Sequence, residues 1–279
     1  MEDRTVPTII SGGGTIPLTF DDSANSADAI YTITASTVQL DNSTPVSYAS
    51  SVGLVLKGGS GTDTFNVEAT SDVSPVTLIT GGGSSTVNVT PTSQDLANLA
   101  GFLAIQGNGG TTILNVDDQS DPAANVYTIT ASCITTFSAA PIVFAGIQGL
   151  TIKGESMPAT YDVVSTGAGT PIALTGGNGN DTFNVGSKTN TLDPIQGAIT
   201  ISGGGDSDAL NILDQGQTAA ESYTLTPTSL TRAGIGPIDF GTLHAVAIDA
   251  AAGNAALTIS GSAPTTPVTF NGGKGNNTV

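Results

Sequence analysis

The sequence predicts an all-β fold, a parallel β-helix (β-solenoid) in which short strands stack coil upon coil. Three observations predict it: a long repeat of 96 residues, a shorter one of about 24 residues within it, and glycine-rich turns between short alternating apolar runs. The long repeat is read in Tyr31-Thr32-Ile33-Thr34. It returns as Tyr127-Thr128-Ile129-Thr130 and as Tyr223-Thr224-Leu225-Thr226, each time 96 residues on. The same offset relates Leu56, Ile152 and Ile248, Pro75, Pro171 and Pro267, and Asp22, Asp118 and Asp214, with no insertion. One register held over most of a chain marks a repeat architecture.

The shorter repeat subdivides each block. In the second block the apolar strand starts fall at Tyr127, Leu150, Ile172 and Ile199 before Tyr223, at steps of 23, 22, 27 and 24 residues. Four coils per block is the expectation. Within a unit, Ile172-Ala173-Leu174-Thr175 leads through a glycine turn into Thr182-Phe183-Asn184-Val185. Period-two alternation points Phe183 and Val185 inward and Asn184 outward. Glycines supply the positive φ of the corner. A unit this small cannot bury its own apolar face, so each must complete the core of the next. One continuous solenoid over 1–279 is expected, with blocks 31–126, 127–222 and 223–279, and 1–30 closing a preceding block. Loops 93–101 and 189–197 leave one edge of equivalent coils, the first long enough for a single helical turn. A string of β-sandwiches, one per block, would suit the block length. The inner repeat argues against it, because sandwich strands have no reason to repeat their turn chemistry.

Composition limits the function. The chain has 36 Gly, 8 Phe, 5 Tyr and no Trp, and its hydrophobic fraction of 38% is too high and too periodic for disorder. Six Lys and Arg against 23 Asp and Glu leave a net charge of −17, which repels nucleic acid and anionic lipid and attracts cations. No run of about 18 apolar residues is present, so no membrane insertion is expected. Cys133 is the only cysteine, so no internal disulfide forms. Met1-Glu2-Asp3-Arg4 does not read as the start of a signal peptide. Val279 is equivalent to Phe183, in mid-strand, and no polar capping coil precedes it. Two expectations follow: a fragment of a longer array, or open ends that self-associate head to tail into a fibre.

The runs GGSGTDTFNV (58–67), GGNGNDTFNV (176–185) and YTITAS (31–36 and 127–132) resemble repeats of very large bacterial exoproteins. So do Leu114-Asn115-Val116-Asp117-Asp118 and Leu210-Asn211-Ile212-Leu213-Asp214. Those proteins are calcium-binding-like, haemagglutinin-like or adhesin-like. The resemblance implies an extracellular or cell-surface structural or adhesive module, a stalk or fibre, with a cell-surface or matrix polysaccharide as a possible partner.

Three kinds of chemistry can be weighed. Tandem G-G-x-G-x-D-x-U-x nonapeptides bind Ca²⁺ between stacked turns. Here the motif recurs once per 24-residue unit or so, and its Asp position reads Asp63, Ser85, Thr112, Ala159, Asp181, Asp208, Ala255 and Asn277. If Ca²⁺ binds, Asp181, Asp206 and Asp208 are the place, with Asp63 as a further ligand. The other reading is that these side chains cap their own tight turns. Outward Asn66, Asn88 and Asn115, then Asp162, Asn184 and Asn211, are expected to form hydrogen-bonded ladders along the stack; a regular polar face for a polymer or for ice is the functional alternative. No enzyme is expected. The carboxylate pairs needed for glycoside hydrolysis are present at Asp21-Asp22 and Asp117-Asp118, but Asp22, Asp118 and Asp214 recur in every block, as scaffold residues do. His244, the only histidine, is expected on a solvated loop. Cys133 stands where Thr37 and Ser229 stand and is expected to fill the space of a hydroxyl side chain.

Overall fold

The computed structural model describes residues 8–10, 16–49, 52–241, 243–261 and 266–279. Met1 to Arg4 lie outside them. The chain is all-β and divides into two compact units, 1–121 with 133–151, and 122–132 with 152–279. Among the described residues no helix is long and apolar enough to cross a membrane.

The first unit has two mostly parallel sheets. One runs through Leu18–Asp21, Leu54–Lys57, Val76–Ile79, Leu103–Gln106 and Ile142–Ala145, each parallel to the next. The other runs through Ala29–Ile33, Asp63–Val67, Ser85–Val89 and Thr112–Asp117. Phe65 sits opposite Val87, and Val87 opposite Leu114. Repeated units therefore lie against one another, as the pattern requires.

The second unit follows the same plan. One parallel sheet contains Val126–Ile129, Thr160–Val163, Thr182–Val185, Ala209–Leu213, Ala245–Asp249 and Val268–Asn271. Its other sheet contains Ile172–Gly177, Ile199–Gly204 and Ile238–Gly241 in parallel. Glu221–Leu225 pairs in parallel with Ala255–Ile259.

The expectation of four coils per block needs correction. Leu18 and Leu114 are equivalent by the 96-residue offset, yet they lie in opposite sheets of the first unit. Tyr127 and Tyr223 do the same in the second. A block therefore holds an odd number of sheet-to-sheet crossings: the chain changes sheet seven times between one YTIT run and the next, three and a half turns of two strands. The difference lies after each YTIT run. There an antiparallel hairpin intervenes: Thr37–Leu40 folds back on Ala29–Ile33, and Ser229–Arg232 on Glu221–Leu225. That detour lengthens the step from Leu18 to Leu54 to 36 residues, whereas Leu54 to Val76 is 22. The loop 93–101 forms one 3₁₀ turn, Leu96–Asn98, capped by Asp95.

Inward columns form the core. Phe183 and Val185 are fully buried, and Asn184 between them is half-buried and faces outward. Each such buried side chain contributes roughly 1.5–3 kcal/mol. Rings stack along the columns: Tyr31 on Phe65 at 4.8 Å, Tyr127 on Tyr161 at 4.7 Å, and Tyr161 on Phe183 at 4.8 Å between centroids. At the corners, Gly177 and Gly204 stack in register with φ of 111° and 102°. A Cβ on Gly204 would come within 2.0 Å of the Gly177 carbonyl oxygen, so only glycine lets successive turns approach this closely.

Candidate functional site

The aspartates at the glycine turns act mainly between turns. In the second unit Asp181 is buried beneath its turn, and its Oδ1 accepts the Ala159 N–H at 2.8 Å from the preceding strand. Asp208 repeats this one step on: its Oδ1 accepts the Asp181 N–H at 2.9 Å. Exposed Asp206 accepts the Gly179 N–H at 3.0 Å, and Asn180 accepts the Ser207 N–H at 3.0 Å. Each turn is thus bonded to its neighbour. Asp63, in the first unit, does cap its own turn, accepting the Gly59 N–H at 2.9 Å. The expected caps are therefore mostly cross-links between turns, because an extended residue opposite each Asp presents its N–H to the carboxylate.

This arrangement strands some oxygens. Oδ2 of Asp181 and Oδ2 of Asp208 are buried with no hydrogen-bond partner among the described residues. Burial pushes Asp181 up to about 7, and the neighbouring charges of Asp208, Glu155 and Asp206 add to the rise. Burial also raises Asp208 and Asp63. For Asp208 the backbone N–H of Asp181 and then the charge of His244 oppose the rise. Exposed His244 is thus brought beside the buried acids, a proximity its solvated loop did not signal.

The groups that converge closely enough to hold one ion are others. Among the described residues, Asp95, Asp118 and Asp121 bring carboxylate oxygens within 4.8 Å of one another. Asp63, Asp181, Asp206 and Asp208 do not converge in that way. Asp118 accepts the Leu96 N–H at 2.7 Å, which ties the 3₁₀ turn to the strand end and brings Asp95 in. Sequence reading missed this group, because Asp95 arrives by a loop and Asp121 is Asn25 and Gln217 in the other blocks.

The equivalents of Asp118 show what the position does elsewhere. Asp22 accepts the Tyr31 hydroxyl at 2.7 Å and the Asn25 amide at 3.0 Å. Asp214 accepts the Tyr223 hydroxyl at 2.6 Å and the Leu192 N–H at 2.9 Å. Buried tyrosine hydroxyls need partners, and the repeated aspartate supplies one. Tyr127 donates to the buried Glu155, which stands where Gly59 and Ala251 stand. A lone acid at a position otherwise small was the sequence signal for it. Asp214 also faces buried Arg232, whose guanidinium reaches Asp193, Asp214 and, at 3.0 Å, Glu221.

The outward ladders are present in both units. Asn115 donates to Asn88 at 2.9 Å and Asn88 to Asn66 at 3.0 Å. Asn211 donates to Asn184 at 2.9 Å and Asn184 to the Asp162 carboxylate at 2.8 Å. Cys133 is half-buried, and burial raises its thiol, which disfavours a thiolate. Comparison with protein-family models, with curated proteins and with solved structures finds no match.

Proposed function

We propose that the chain is a β-solenoid serving as an extracellular structural or adhesive module of a bacterial surface, a stalk or fibre rather than an enzyme. The observation that carries this reading is the in-register parallel stacking of repeated units, Tyr161 on Phe183 on Leu210 and Phe65 on Val87 on Leu114. Every added unit extends the buried column, and a chain built so gains length and stiffness. The acidic surface and the resemblance of the repeats to bacterial exoproteins support the extracellular placement.

The reading is tested on intact cells of the source organism. Antibodies against the chain should label unpermeabilised cells, and external protease should abolish the signal. Labelling only after permeabilisation would reject it. Excision of one 22-residue unit, 58–79, should leave a folded protein, because Thr80 onward then takes the register vacated by the removed unit. Collapse of that variant would argue against interchangeable stacking.

A further inference from the structure

A pocket of about 190 Å³ opens on the polar sheet face of the second unit. Its half-buried floor is Val164 and Leu213, and Thr128, Asp162, Asn184 and Lys188 surround it. Asp162 ends the amide ladder: Oδ1 takes the Asn184 amide, and among the described residues no hydrogen bond or ion pair engages Oδ2. The Thr128 hydroxyl and the exposed Lys188 ammonium are likewise uncommitted among the described residues. A carboxylate oxygen, a hydroxyl and an ammonium are therefore held around an apolar floor with nothing in the described fold to satisfy them.

The first unit provides an internal control. Gly186 and Ser187 complete the lining, and the residues 96 positions earlier are Thr32, Asn66, Glu68, Asn88, Thr90, Pro91, Thr92 and Asp117. There the Glu68 carboxylate accepts the Thr92 hydroxyl at 2.7 Å and its N–H at 3.3 Å, and Thr90 bonds the Asp117 carbonyl. The self-bonded Glu68–Thr92 pair occupies the position that Val164 and Lys188 leave open. The replacement of Asn66 by Asp162 places a charge at the end of the ladder.

We infer that this pocket binds one neutral hexose unit of a polysaccharide. Asp162 accepts one ring hydroxyl through its free Oδ2, Lys188 and Thr128 serve the neighbouring oxygens, and the C–H face of the ring lies on Val164 and Leu213. The volume is below the roughly 300–1,000 Å³ of drug-sized sites and suits a single small ring. A neutral ligand is favoured over an anion, because one lysine in a chain of net charge −17 makes a poor anion trap. The inference goes beyond the scaffold reading and does not depend on it.

The test is saturation-transfer NMR on the intact chain with methyl glycosides of glucose, mannose and galactose, and with alanine as a zwitterionic probe. At least one glycoside should bind, with an affinity on the order of millimolar. Asp162→Asn copies Asn66 and keeps an acceptor for Asn184; it should weaken binding about tenfold, as expected for one charge-assisted hydrogen bond. Val164→Glu with Lys188→Thr copies the Glu68–Thr92 pair of the first unit across the floor and should abolish binding, with circular dichroism and melting unchanged. A trisaccharide of the bound sugar should bind more tightly than the methyl glycoside; equal affinity would overturn assignment to a polymer. Silence from all three glycosides, binding that survives the closing variant, or binding of alanine alone would overturn the sugar pocket. Cell-surface labelling reads the scaffold proposal separately.

Discussion

Asp181→Asn gives the sharpest test of how the glycine turns are held. In the folded chain burial lifts Asp181 from its ordinary 3.8 to about 7. The folded state therefore keeps a proton that the unfolded chain has lost over that interval. The associated stability is fully present below pH 3.8, declines as pH rises, and is gone above about 7. Each factor of ten in proton affinity is worth about 1.4 kcal/mol, so the whole effect approaches about 4 kcal/mol. The repeat shows what asparagine does here. Asn277, 96 residues on, accepts the Ala255 N–H at 3.0 Å and donates to the Gly273 carbonyl at 2.7 Å. Asp181→Asn should thus raise the melting temperature at pH 8 by roughly 10 °C, taking about 2–4 °C per kcal/mol for a chain of this size. At pH 4 the two proteins should melt together. Thermal melts followed by circular dichroism across pH 4–8 read this directly. A variant that melts below wild type at pH 8, or keeps the full wild-type pH slope, would refute the argument. The same melts with Ca²⁺ and with chelator separate proton from metal. A rise with millimolar Ca²⁺ at pH 8 that is lost in the variant would show that an ion neutralises Asp181.

Two further outcomes follow from the packing. Val185→Asp buries a charge in a fully enclosed column and should cost roughly 3–5 kcal/mol, read as a lower denaturant midpoint; a wild-type midpoint would contradict the inward placement. Arg232→Leu leaves Asp214 and Glu221 without their cation and should also cost roughly 3–5 kcal/mol at pH 7, with part recovered on acidification as Asp214, already raised by burial, takes up a proton.

Much of the scaffold was legible because its signals are local. Phe183, Asn184 and Val185 alternate along one strand, so their faces follow from strand geometry alone. The ladders of Asn66, Asn88 and Asn115 follow once units are stacked in register. The aspartates of the glycine turns stand out in the sequence, but their partners do not. Asp181 bonds Ala159, 22 residues away, and Asp208 bonds Asp181, 27 away. Asp95, Asp118 and Asp121 meet because a loop folds over a strand end, and the pocket at Asp162 exists because Val164 and Lys188 do not bond each other.

By itself the sequence determined the repeat, the all-β class and the inward set of side chains, since each is a property of spacing along the chain. Only the tertiary structure decided that a block crosses between sheets seven times, that hairpins follow each YTIT run, and which buried acid meets which hydroxyl or N–H. Those depend on which strands lie side by side. Register between segments 22 to 36 residues apart is set by packing that no single segment contains.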